Sequence, residues 1–362
     1  MSQSANGPIH LVTGGTGMLG SHLVERLVGQ GGRVRVLARP TSDTRFLQTL
    51  DVEIITGDLA DPLACARAVE GVGVVYHAAA KVGDWGPWRE FQTGCIDATR
   101  NLAEAATAAK VGRFLHISST SAYGHPADGS PPVDETAAMG QNMWPCWDYY
   151  TRSKVESEKI LWNLARTQGL ALTIIRPSWL YGERDRTTTA RLVNRLRQRK
   201  VMLIGRGDNP LSAVYVGIVA DAAILAANDP GSIGEAYNIT NQGPITQRGF
   251  FDLLAEACDA PRVRKRVPYR VAYAAAFLME AKGRLIRQAR PPWVTRYATW
   301  LMGRELEYST EKARTKLGWT PALSYAETIG RTVRWFLEHE RRLVDFSGHT
   351  APRDLPPLES PR

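Results

Sequence analysis

Two neighbouring tyrosines and a lysine lie in the segment CWDYYTRSKVESEK, residues 146–159. On a helix, residues four apart share a face, so Tyr150 can stand beside Lys154, whereas Tyr149 is five positions from the lysine. A nearby ammonium group favours the phenolate and lowers the pKa of a tyrosine from its usual value of about 10. Such a tyrosine can exchange a proton with a carbonyl or alcohol oxygen. The competing interpretation is a solvated, charged helix face.

A hydroxyl-rich segment favours the chemical interpretation. The stretch HISSTSAYG at 116–124 has the pattern of a strand end and carries several serines and a threonine. A serine at this place can hydrogen-bond the same substrate oxygen that the tyrosine protonates. The two segments together predict acid–base chemistry on a carbonyl or alcohol group.

A glycine-rich turn, TGGTGMLG at 13–20, follows the apolar stretch IHLV and precedes an amphipathic helical pattern. Gly14, Gly17 and Gly20 meet three needs of a dinucleotide site: a tight turn, close approach of a pyrophosphate to the backbone, and close helix–sheet packing. The helix N-terminus adds free N–H groups and a partial positive charge. The placement predicts dinucleotide binding, and the competing interpretation is a flexible turn.

The elements that must position these residues alternate between strand and helix. Strand patterns lie at 9–12, 33–38, 52–58, 71–80 and 113–119, and helical patterns lie at 18–30 and 98–110. Strands separated by helices form βαβ units, so the predicted fold class is α/β, a Rossmann-type doubly wound parallel sheet. Ligands bind beyond the carboxyl ends of the strands in such sheets, and each motif falls at such an end.

The choice between NAD and NADP depends on the residues that follow the second strand. An acidic residue about 20 positions after the glycine turn would hold the ribose 2′-hydroxyl of NAD. No acidic residue lies between Arg26 and Ser42, and Arg39 stands just past the strand RVRVLA. A guanidinium there suits a 2′-phosphate. The sequence therefore favours NADP(H). In the alternative interpretation, Arg39 is an ordinary exposed arginine and the cofactor is NAD(H).

The bulk properties of the chain predict a folded protein of a reducing compartment. The chain has 362 residues, of which 44% are hydrophobic, and four cysteines with no CxxC pair. This spacing argues against a disulfide framework and a metal site. The chain shows neither a signal-peptide pattern nor an apolar run long enough to span a bilayer. We expect a cytoplasmic protein with no nucleic-acid partner.

The formal charge of +9 is concentrated in one segment. Residues 262–304 hold eleven lysines or arginines and a single acid, Glu280, around the apolar run VAYAAAFLM. Three interpretations stay open. The run could cover the active site while the cations are solvated, the cations could hold an anionic substrate group, or the segment could contact an anionic membrane peripherally.

Several further motifs join those already described. They are GDL at 57–59, HAAA at 77–80, YTRSK at 150–154, IIRPSWLYG at 174–182, AVYVGIVADAAILA at 213–226, YNI at 237–239 and STEKARTKLGWTP at 309–321. With these motifs, nearly the whole chain resembles the extended short-chain dehydrogenases/reductases of the NAD-dependent epimerase/dehydratase superfamily. It is most similar to the 3β-hydroxysteroid dehydrogenase and dihydroflavonol-reductase-like branch.

The resemblance implies roles for individual residues. Tyr150 is the general acid/base, Lys154 lowers its pKa and holds the nicotinamide ribose, and Ser119 orients the substrate oxygen. Asp58 bonds the adenine amino group with Leu59 beside the ring. The complete expected cofactor set is Gly14, Thr16, Gly17, Met18, Leu19, Gly20, Arg39, Asp58, Leu59, His77, Ala78, Ala79, Lys154, Pro177 and Ser178.

The resemblance also implies a division of the chain into lobes. Residues 1–182, with 213–240 returning, form the dinucleotide-binding domain. Residues 183–212 and 241–345 form a smaller, mostly helical substrate lobe. The Pro-rich tail 346–362 is expected to be disordered. A homodimer is left open by the resemblance.

Departures from the family pattern bear on the substrate. Cys95 stands where an asparagine commonly supports the proton relay, with simple burial as the default interpretation. Trp179 replaces the asparagine of nucleotide-sugar members, and Thr120 and Ser121 replace the Asp-Glu pair of sugar dehydratases. Five tryptophans are expected near the cleft, two or three of them lining it: Trp85, Trp88, Trp144, Trp147 and Trp179.

The sequence therefore predicts an NAD(P)-dependent oxidoreductase that interconverts a ketone and a secondary alcohol on a largely apolar substrate, steroid-, terpenoid- or long-chain-keto-like. A nucleotide-sugar epimerase or dehydratase is the first alternative. A non-catalytic NADP-sensing protein is the second, and the complete Ser-Tyr-Lys set argues against it because a sensor needs no proton relay.

Overall fold

A seven-stranded parallel sheet forms the centre of the N-terminal lobe in the computed structural model, which describes residues 7–185, 188–240 and 243–347. The described strands are β1 (Ile9–Thr13), β2 (Arg33–Ala38), β3 (Val52–Thr56), β4 (Val72–His77), β5 (Arg113–Ile117), β6 (Leu172–Pro177), β7 (Trp179–Tyr181), β8 (Leu203–Ile204), β9 (Ala213–Tyr215), β10 (Glu235–Ile239) and β11 (Arg266–Val267). The strand order in the sheet is β3–β2–β1–β4–β5–β6–β10. This order reverses between β1 and β4, so the sheet is doubly wound, and the predicted fold class is confirmed.

Helices cover both faces of this sheet. The described helices are α1 (Met18–Gly29), α2 (Pro62–Val69), α3 (Trp88–Phe91), α4 (Ala98–Ala108), α5 (Tyr149–Gln168), α6 (Thr189–Arg197), α7 (Val216–Asn228), α8 (Gln247–Ala257), α9 (Tyr269–Leu285), α10 (Arg296–Gly303), α11 (Glu311–Leu317) and α12 (Tyr325–Ser347). Helices α1 and α7 pack together over one face, and α2, α4 and α5 pack in a row over the other.

Successive residues of a central strand pack alternately in two hydrophobic cores, one on each face of the sheet. In β1, Val12 belongs to the core beneath α1 and α7, and Leu11 belongs to the core beneath α2, α4 and α5. Neither residue has any exposed surface. Because neighbouring side chains of a strand point to opposite faces, a sheet covered on both sides needs apolar residues without alternation.

The C-terminal lobe consists mostly of helices, as predicted. Helices α6, α8 and α12 pack together, α9 packs against α10, and two short parallel strand pairs, β7–β9 and β8–β11, complete the lobe. The stretch 213–240 supplies β9, α7 and β10, and β10 is the edge strand beside β6. Most of the predicted disordered tail lies outside the described residues, from position 348 onward.

The carboxyl ends of four central strands meet at one edge of the sheet. Thr13 at the end of β1 is in register with His77 at the end of β4, and Ile117 at the end of β5 is in register with Ile175 of β6. The loops after these strands therefore begin side by side. The motifs at 13–20, 77–80, 116–124 and 174–182 run through these strand ends, and the tyrosine–lysine pair lies in the first turns of α5.

Candidate active site

The turn between β1 and α1 has room only for glycine at two positions. Gly14 has a positive φ of 71°, and a Cβ atom there would lie 2.7 Å from the backbone nitrogen of Ala79. A Cβ atom on Gly20 would overlap the carbonyl oxygen of Gly14. These contacts bring the turn, the first helix and the end of β4 close together.

The N-terminus of α1 can receive an anion. Its cap residue, Gly17, is exposed and makes no side-chain capping bond, and the first turn contains no acidic residue. The partial positive charge of the helix and the N–H groups at Met18 and Leu19 are therefore not neutralised by a cap. A dinucleotide pyrophosphate fits this environment.

Strands β2 and β3 are neighbours in the sheet, and Arg39 and Asp58 follow their carboxyl ends. Arg39 directly follows β2, is exposed, and forms no ion pair with any described residue. The Asp58 carboxylate accepts a bond from the N–H of Ala60 at 2.9 Å and is also exposed. Leu59 is half-buried, and its carbonyl accepts a bond from the Asn101 amide at 2.9 Å. This edge offers one cation and one carboxylate to the adenosine half of a dinucleotide.

His77 is a structural link behind the cofactor groove. Its ring nitrogens lie 2.8 Å from Thr13 Oγ1 and 3.0 Å from Thr99 Oγ1, and the residue has no exposed surface. Burial, and to a smaller degree the charge of Lys154, lowers the pKa of His77 to about 3, so the ring is neutral. The surface that this segment presents at the groove belongs to Ala78 and Ala79, which are half-buried.

Pro177 and Ser178 end β6 and begin the passage to β7. Both are buried, and Ser178 Oγ has no hydrogen-bond partner among the described residues. A buried hydroxyl without a partner is costly, so a polar group of a bound ligand would satisfy it. A carboxamide such as that of nicotinamide fits this position, which lies at the carboxyl edge of the sheet.

The Lys154 ammonium lies where β5 ends against α5, the helix that also carries Tyr150, and Ser119 follows β5 by two residues. The helix begins at Tyr149, so Tyr150 lies in its first turn and Lys154 one turn later. The Lys154 ammonium is buried and donates to the carbonyl oxygen of Ile117 at 3.3 Å, two residues before Ser119. Ser119 Oγ accepts the N–H of Ser121 at 3.1 Å, which leaves its own proton free for another acceptor.

The rings of Tyr149 and Tyr150 pack against different neighbours. The Tyr149 ring packs against Trp88 and Phe91, with centroid distances of 5.5 and 6.0 Å. The Tyr150 ring meets Tyr297 of α10 edge-on at 5.7 Å. Both tyrosines thus meet the second lobe, Tyr150 at Tyr297 of α10 and Tyr149 at Arg284 of α9, whose guanidinium lies 5.2 Å from the Tyr149 ring.

A buried ion pair supports the site from behind. Glu158 on α5 bonds Arg176 on β6 through Arg176 Nη2 at 2.6 Å and Nε at 3.0 Å. The same carboxylate accepts the hydroxyl of Ser118 at 2.5 Å, and Arg176 donates to the hydroxyl of Tyr123 at 2.9 Å. Glu158 therefore ties α5 to β6 and, through Ser118, to the segment that follows β5.

Cys95 is buried within a π-helical segment, Gln92–Asp97, between α3 and α4. Its sulfur accepts the N–H of Lys81 at 3.2 Å. The residue thus occupies a small buried place, which agrees with the default interpretation of this departure from the family pattern.

Tyr297, Tyr308 and Asp84 were not identified from the sequence. Tyr297 lies against Tyr150, and burial, followed by the proximity of Tyr150, raises its pKa well above the usual value. Burial raises the pKa of Tyr308 to about 12, although its hydroxyl bonds Thr120. Burial also raises the pKa of Asp84, which lies near Tyr297. No local pattern marks these residues, because they come from distant parts of the chain.

Three of the five tryptophans lie near α9 and α10, and a fourth, Trp88, packs on Tyr149 of α5 at a centroid distance of 5.5 Å. The Trp85 indole donates to the carbonyl of Gln288 at 3.0 Å, and Trp144 stacks on His125 at a centroid distance of 3.9 Å. Trp147 lies near Phe277 of α9, and the guanidinium of Arg284 lies 4.7 Å and 5.1 Å from the rings of Trp85 and Trp147.

The fifth tryptophan, Trp179, lies elsewhere. It packs on Phe250 of α8 at 5.2 Å and lines a small cavity among α6, α8 and α12. It is thus a core residue of the C-terminal lobe.

A tight glycine turn at an uncapped helix and a tyrosine–lysine helix beside a hydroxyl-bearing strand end define a nicotinamide-dependent enzyme of the doubly wound class. The model of the NAD dependent epimerase/dehydratase family matches residues 10–240, so the chain belongs to that family.

Relatives and solved structures agree with this placement. The chain is 34% identical to the 2-alkyl-3-oxoalkanoate reductase of Stenotrophomonas maltophilia (strain K279a), covering 89% of this chain and 97% of that protein. It is 30% identical to a farnesyl dihydroquinoline-oxide ketoreductase of Stigmatella aurantiaca, covering 88% and 93%. The crystal structure of a double mutant of DesIV, a dTDP-glucose 4,6-dehydratase from Streptomyces venezuelae, with NAD bound is similar with a TM-score of 0.74 at 25% identity, covering 92% of this chain and 98% of that one.

The predicted membership of the extended short-chain dehydrogenases/reductases is confirmed, and so is the predicted class of enzyme, an oxidoreductase acting on CH–OH groups. The family assignment also confirms dependence on a nicotinamide dinucleotide. The preference for NADP(H) and the roles of the individual site residues stay predictions.

Proposed function

We propose that the protein interconverts a ketone and a secondary alcohol on a largely apolar substrate and uses NADP(H). The observation that supports this proposal is the bond from the buried Lys154 ammonium, one turn after Tyr150 on α5, to the Ile117 carbonyl at the carboxyl end of β5, two residues before Ser119. This edge also carries the glycine turn, so a cofactor held there and a substrate oxygen at Tyr150 would be neighbours.

When bound, the nicotinamide ring supplies or accepts the hydride at the substrate carbon. Tyr150 donates a proton to the substrate oxygen in reduction and takes it back in oxidation. The buried Lys154 ammonium donates to the Ile117 carbonyl at 3.3 Å, which holds the ammonium group one helical turn after Tyr150. Ser119 Oγ is already an acceptor for a backbone N–H, so its proton is directed to the substrate oxygen.

Arg39 supports the choice of NADP(H). Its guanidinium is exposed at the end of β2 and has no ion-pair partner among the described residues. A 2′-phosphate would supply that partner through a charge-assisted hydrogen bond. The absence of an acidic residue between positions 26 and 42 removes the group that would favour NAD.

The substrate in this proposal is a long-chain 3-oxo compound. The relatives from Stenotrophomonas maltophilia and Shewanella oneidensis are both described as 2-alkyl-3-oxoalkanoate reductases. The aromatic residues contributed by α9, α10 and the loop before α5 would bury alkyl chains. The substitutions at Thr120, Ser121 and Trp179 weigh against a nucleotide sugar.

Arg284 is a candidate partner for a substrate carboxylate. Its guanidinium is half-buried among the rings of Trp85, Trp147 and Tyr149, and it forms no ion pair with a described residue. Burial lowers the pKa of Arg284, and Arg284 Nε has no hydrogen-bond partner in the described structure. A carboxylate would satisfy both the charge and the donor.

The experiment that tests the function compares Tyr150→Phe with Tyr149→Phe. The first change removes the acid–base hydroxyl and should lower kcat by about a hundredfold to ten-thousandfold. Cofactor affinity should stay close to that of the wild type. Turnover is followed by NADPH absorbance with 2-alkyl-3-oxo acids and simpler long-chain ketones.

Tyr149→Phe is the matched control, because that ring packs against Trp88 and Phe91 and should lose little activity. An inactive Tyr149→Phe variant beside an active Tyr150→Phe variant would contradict the assignment. Product formation without stoichiometric consumption of NADPH would point instead to an epimerase or dehydratase.

A further inference from the structure

Helix α9 presents an apolar face to solvent. Val271, Leu278 and Leu285 are spaced seven residues apart, which is about two helical turns. The three side chains therefore lie on the same side of α9 and form one ridge along it. Their exposed fractions are 57%, 67% and 84%. Ile286, the residue that follows the helix, is 60% exposed. Exposed leucines occur singly on most surfaces, but a continuous apolar ridge marks an interaction site.

The opposite face of α9 packs on the rest of the C-terminal lobe, so the helix is anchored although its ridge is exposed. Ala272, Ala276, Glu280 and Gly283 form the buried stripe of the helix. Glu280 is buried because Arg296 of α10 bonds it at 2.8 Å. The helix is therefore held in the lobe by one face, which leaves the ridge free for a partner.

The basic residues of the segment fall into two groups. Three have partners within the protein: Arg296 bonds Glu280, Arg304 bonds Asp128 at 2.9 Å at the surface, and Arg284 lies among aromatic rings. Eight are exposed and form no ion pair with any described residue: Arg262, Arg264, Lys265, Arg266, Arg270, Lys282, Arg287 and Arg290.

The exposed cations lie at both ends of the apolar ridge. Four stand in the segment before α9, and Arg270 lies in its first turn. Lys282 lies in the last turn, where its alkyl chain can extend along the apolar surface, and Arg287 and Arg290 follow the helix directly. The single acid of the segment is the buried Glu280, so no carboxylate of residues 262–304 offsets these charges.

We propose that α9 docks on the surface of an anionic membrane, with its apolar ridge in the interface and its flanking cations against the lipid headgroups. The combination of apolar ridge and cations on one helix is the pattern of a peripheral amphipathic helix. Each basic residue near an anionic leaflet raises the affinity about fivefold. Among the residues that the structure describes, no helix has the length and apolar character to cross a bilayer, so the contact is peripheral.

Docking in this orientation places the helix that supplies Arg284 against the lipid. Helices α9 and α10 supply Arg284 and Tyr297, which lie beside the two tyrosines of α5. An apolar substrate could then pass from the bilayer to the cleft with little contact with water. The docking surface itself is independent of the proposed reaction, and its test does not need turnover.

The test is co-sedimentation of the purified full-length chain with liposomes. One set of vesicles contains only phosphatidylcholine, and the other contains one part phosphatidylglycerol to two parts phosphatidylcholine. We expect binding to the anionic vesicles at low salt, loss of that binding in high salt because the headgroup charges are screened, and little binding to the neutral vesicles. A protein that stays in the supernatant with anionic vesicles at low salt would overturn the proposal.

Two variants separate the ridge from the charges. Leu278→Asp with Leu285→Asp should weaken binding at least tenfold for each leucine, because a buried leucine contributes about that factor. Arg287→Glu with Arg290→Glu should weaken it at least about twenty-fivefold. All four side chains are exposed, so the variants should fold and keep activity on a water-soluble ketone.

The matched control changes the same residue types in α2, where Leu63 is 70% exposed and Arg67 is exposed. Leu63→Asp with Arg67→Glu should bind vesicles like the wild type. Equal losses in the control and in the α9 variants would overturn the assignment to α9. So would a wild-type protein that ignores vesicles but forms a dimer that the leucine variant dissociates, because the ridge would then be a contact between two copies.

Discussion

Neutralising Glu158 should destabilise the protein more than any exposed charge change on the same helix. Its carboxylate has no exposed surface and pairs with Arg176 through two bonds, at 2.6 and 3.0 Å, while it also accepts the Ser118 hydroxyl. Glu158→Gln leaves the buried guanidinium of Arg176 without its paired carboxylate. Breaking one side of a buried pair costs about 3–5 kcal/mol.

The corresponding shift in melting temperature follows from the length of the chain. With about 2.1 cal/mol/K of unfolding entropy per residue, 362 residues give roughly 760 cal/mol/K. A loss of about 3–5 kcal/mol then lowers Tm by about 4–7 °C. Scanning calorimetry and urea denaturation of the variant and the wild type measure both quantities.

Two comparisons make this prediction specific. Glu156→Gln removes an exposed carboxylate of the same helix, whose partner Lys159 lies 3.2 Å away, and should cost about 0.5 kcal/mol or less. The double variant Glu158→Leu with Arg176→Met should recover much of the lost stability, because neither charge is left alone. A Glu158→Gln loss no larger than that of Glu156→Gln would refute the reasoning.

Two further predictions concern ligand recognition. Arg39→Ala should weaken NADPH binding by about tenfold to a hundredfold and leave NADH binding nearly unchanged in a fluorescence titration, whereas Arg33→Ala, at the other end of β2, should affect neither; equal losses for both cofactors would contradict the 2′-phosphate assignment. Arg284→Met should raise KM for a 2-alkyl-3-oxo acid about tenfold or more, keep kcat, and leave KM for the methyl ester unchanged, with the exposed Lys282→Met as the control. A KM that rises equally for acid and ester would show that Arg284 acts on packing and not on the carboxylate.

The class of fold and the centre of the site could be predicted because their signals are local. The spacing of Tyr150 and Lys154 on one helix, and the run of Gly14, Gly17 and Gly20 between strand and helix, depend only on neighbours in the chain. The alternation of strands and helices indicates a parallel sheet, in which the carboxyl ends of all strands lie at the same edge. Short-range periodicity therefore predicts that these motifs lie at one edge of the sheet.

The walls of the cleft could not be predicted in this way. Tyr297 approaches Tyr150 from 147 positions later in the chain, and Arg284 reaches Tyr149 from 135 positions later. Contacts across such separations follow from how the second lobe packs on the first, and no repeat or spacing records them. The tryptophans show the same limit, because Trp179 is in the core of the C-terminal lobe while Trp147 lies against α9.

The basic segment 262–304 shows most clearly what each level determines. The sequence alone determines its charge and its apolar run, and these leave a covering helix, a substrate anchor and a membrane contact open. The tertiary structure decides which residues face inward: Glu280 is buried because Arg296 meets it, and the ridge at Leu278 is left outside. A helix with apolar residues on several sides can bury any of them, so only the position of its packing partners selects the face that remains in solvent.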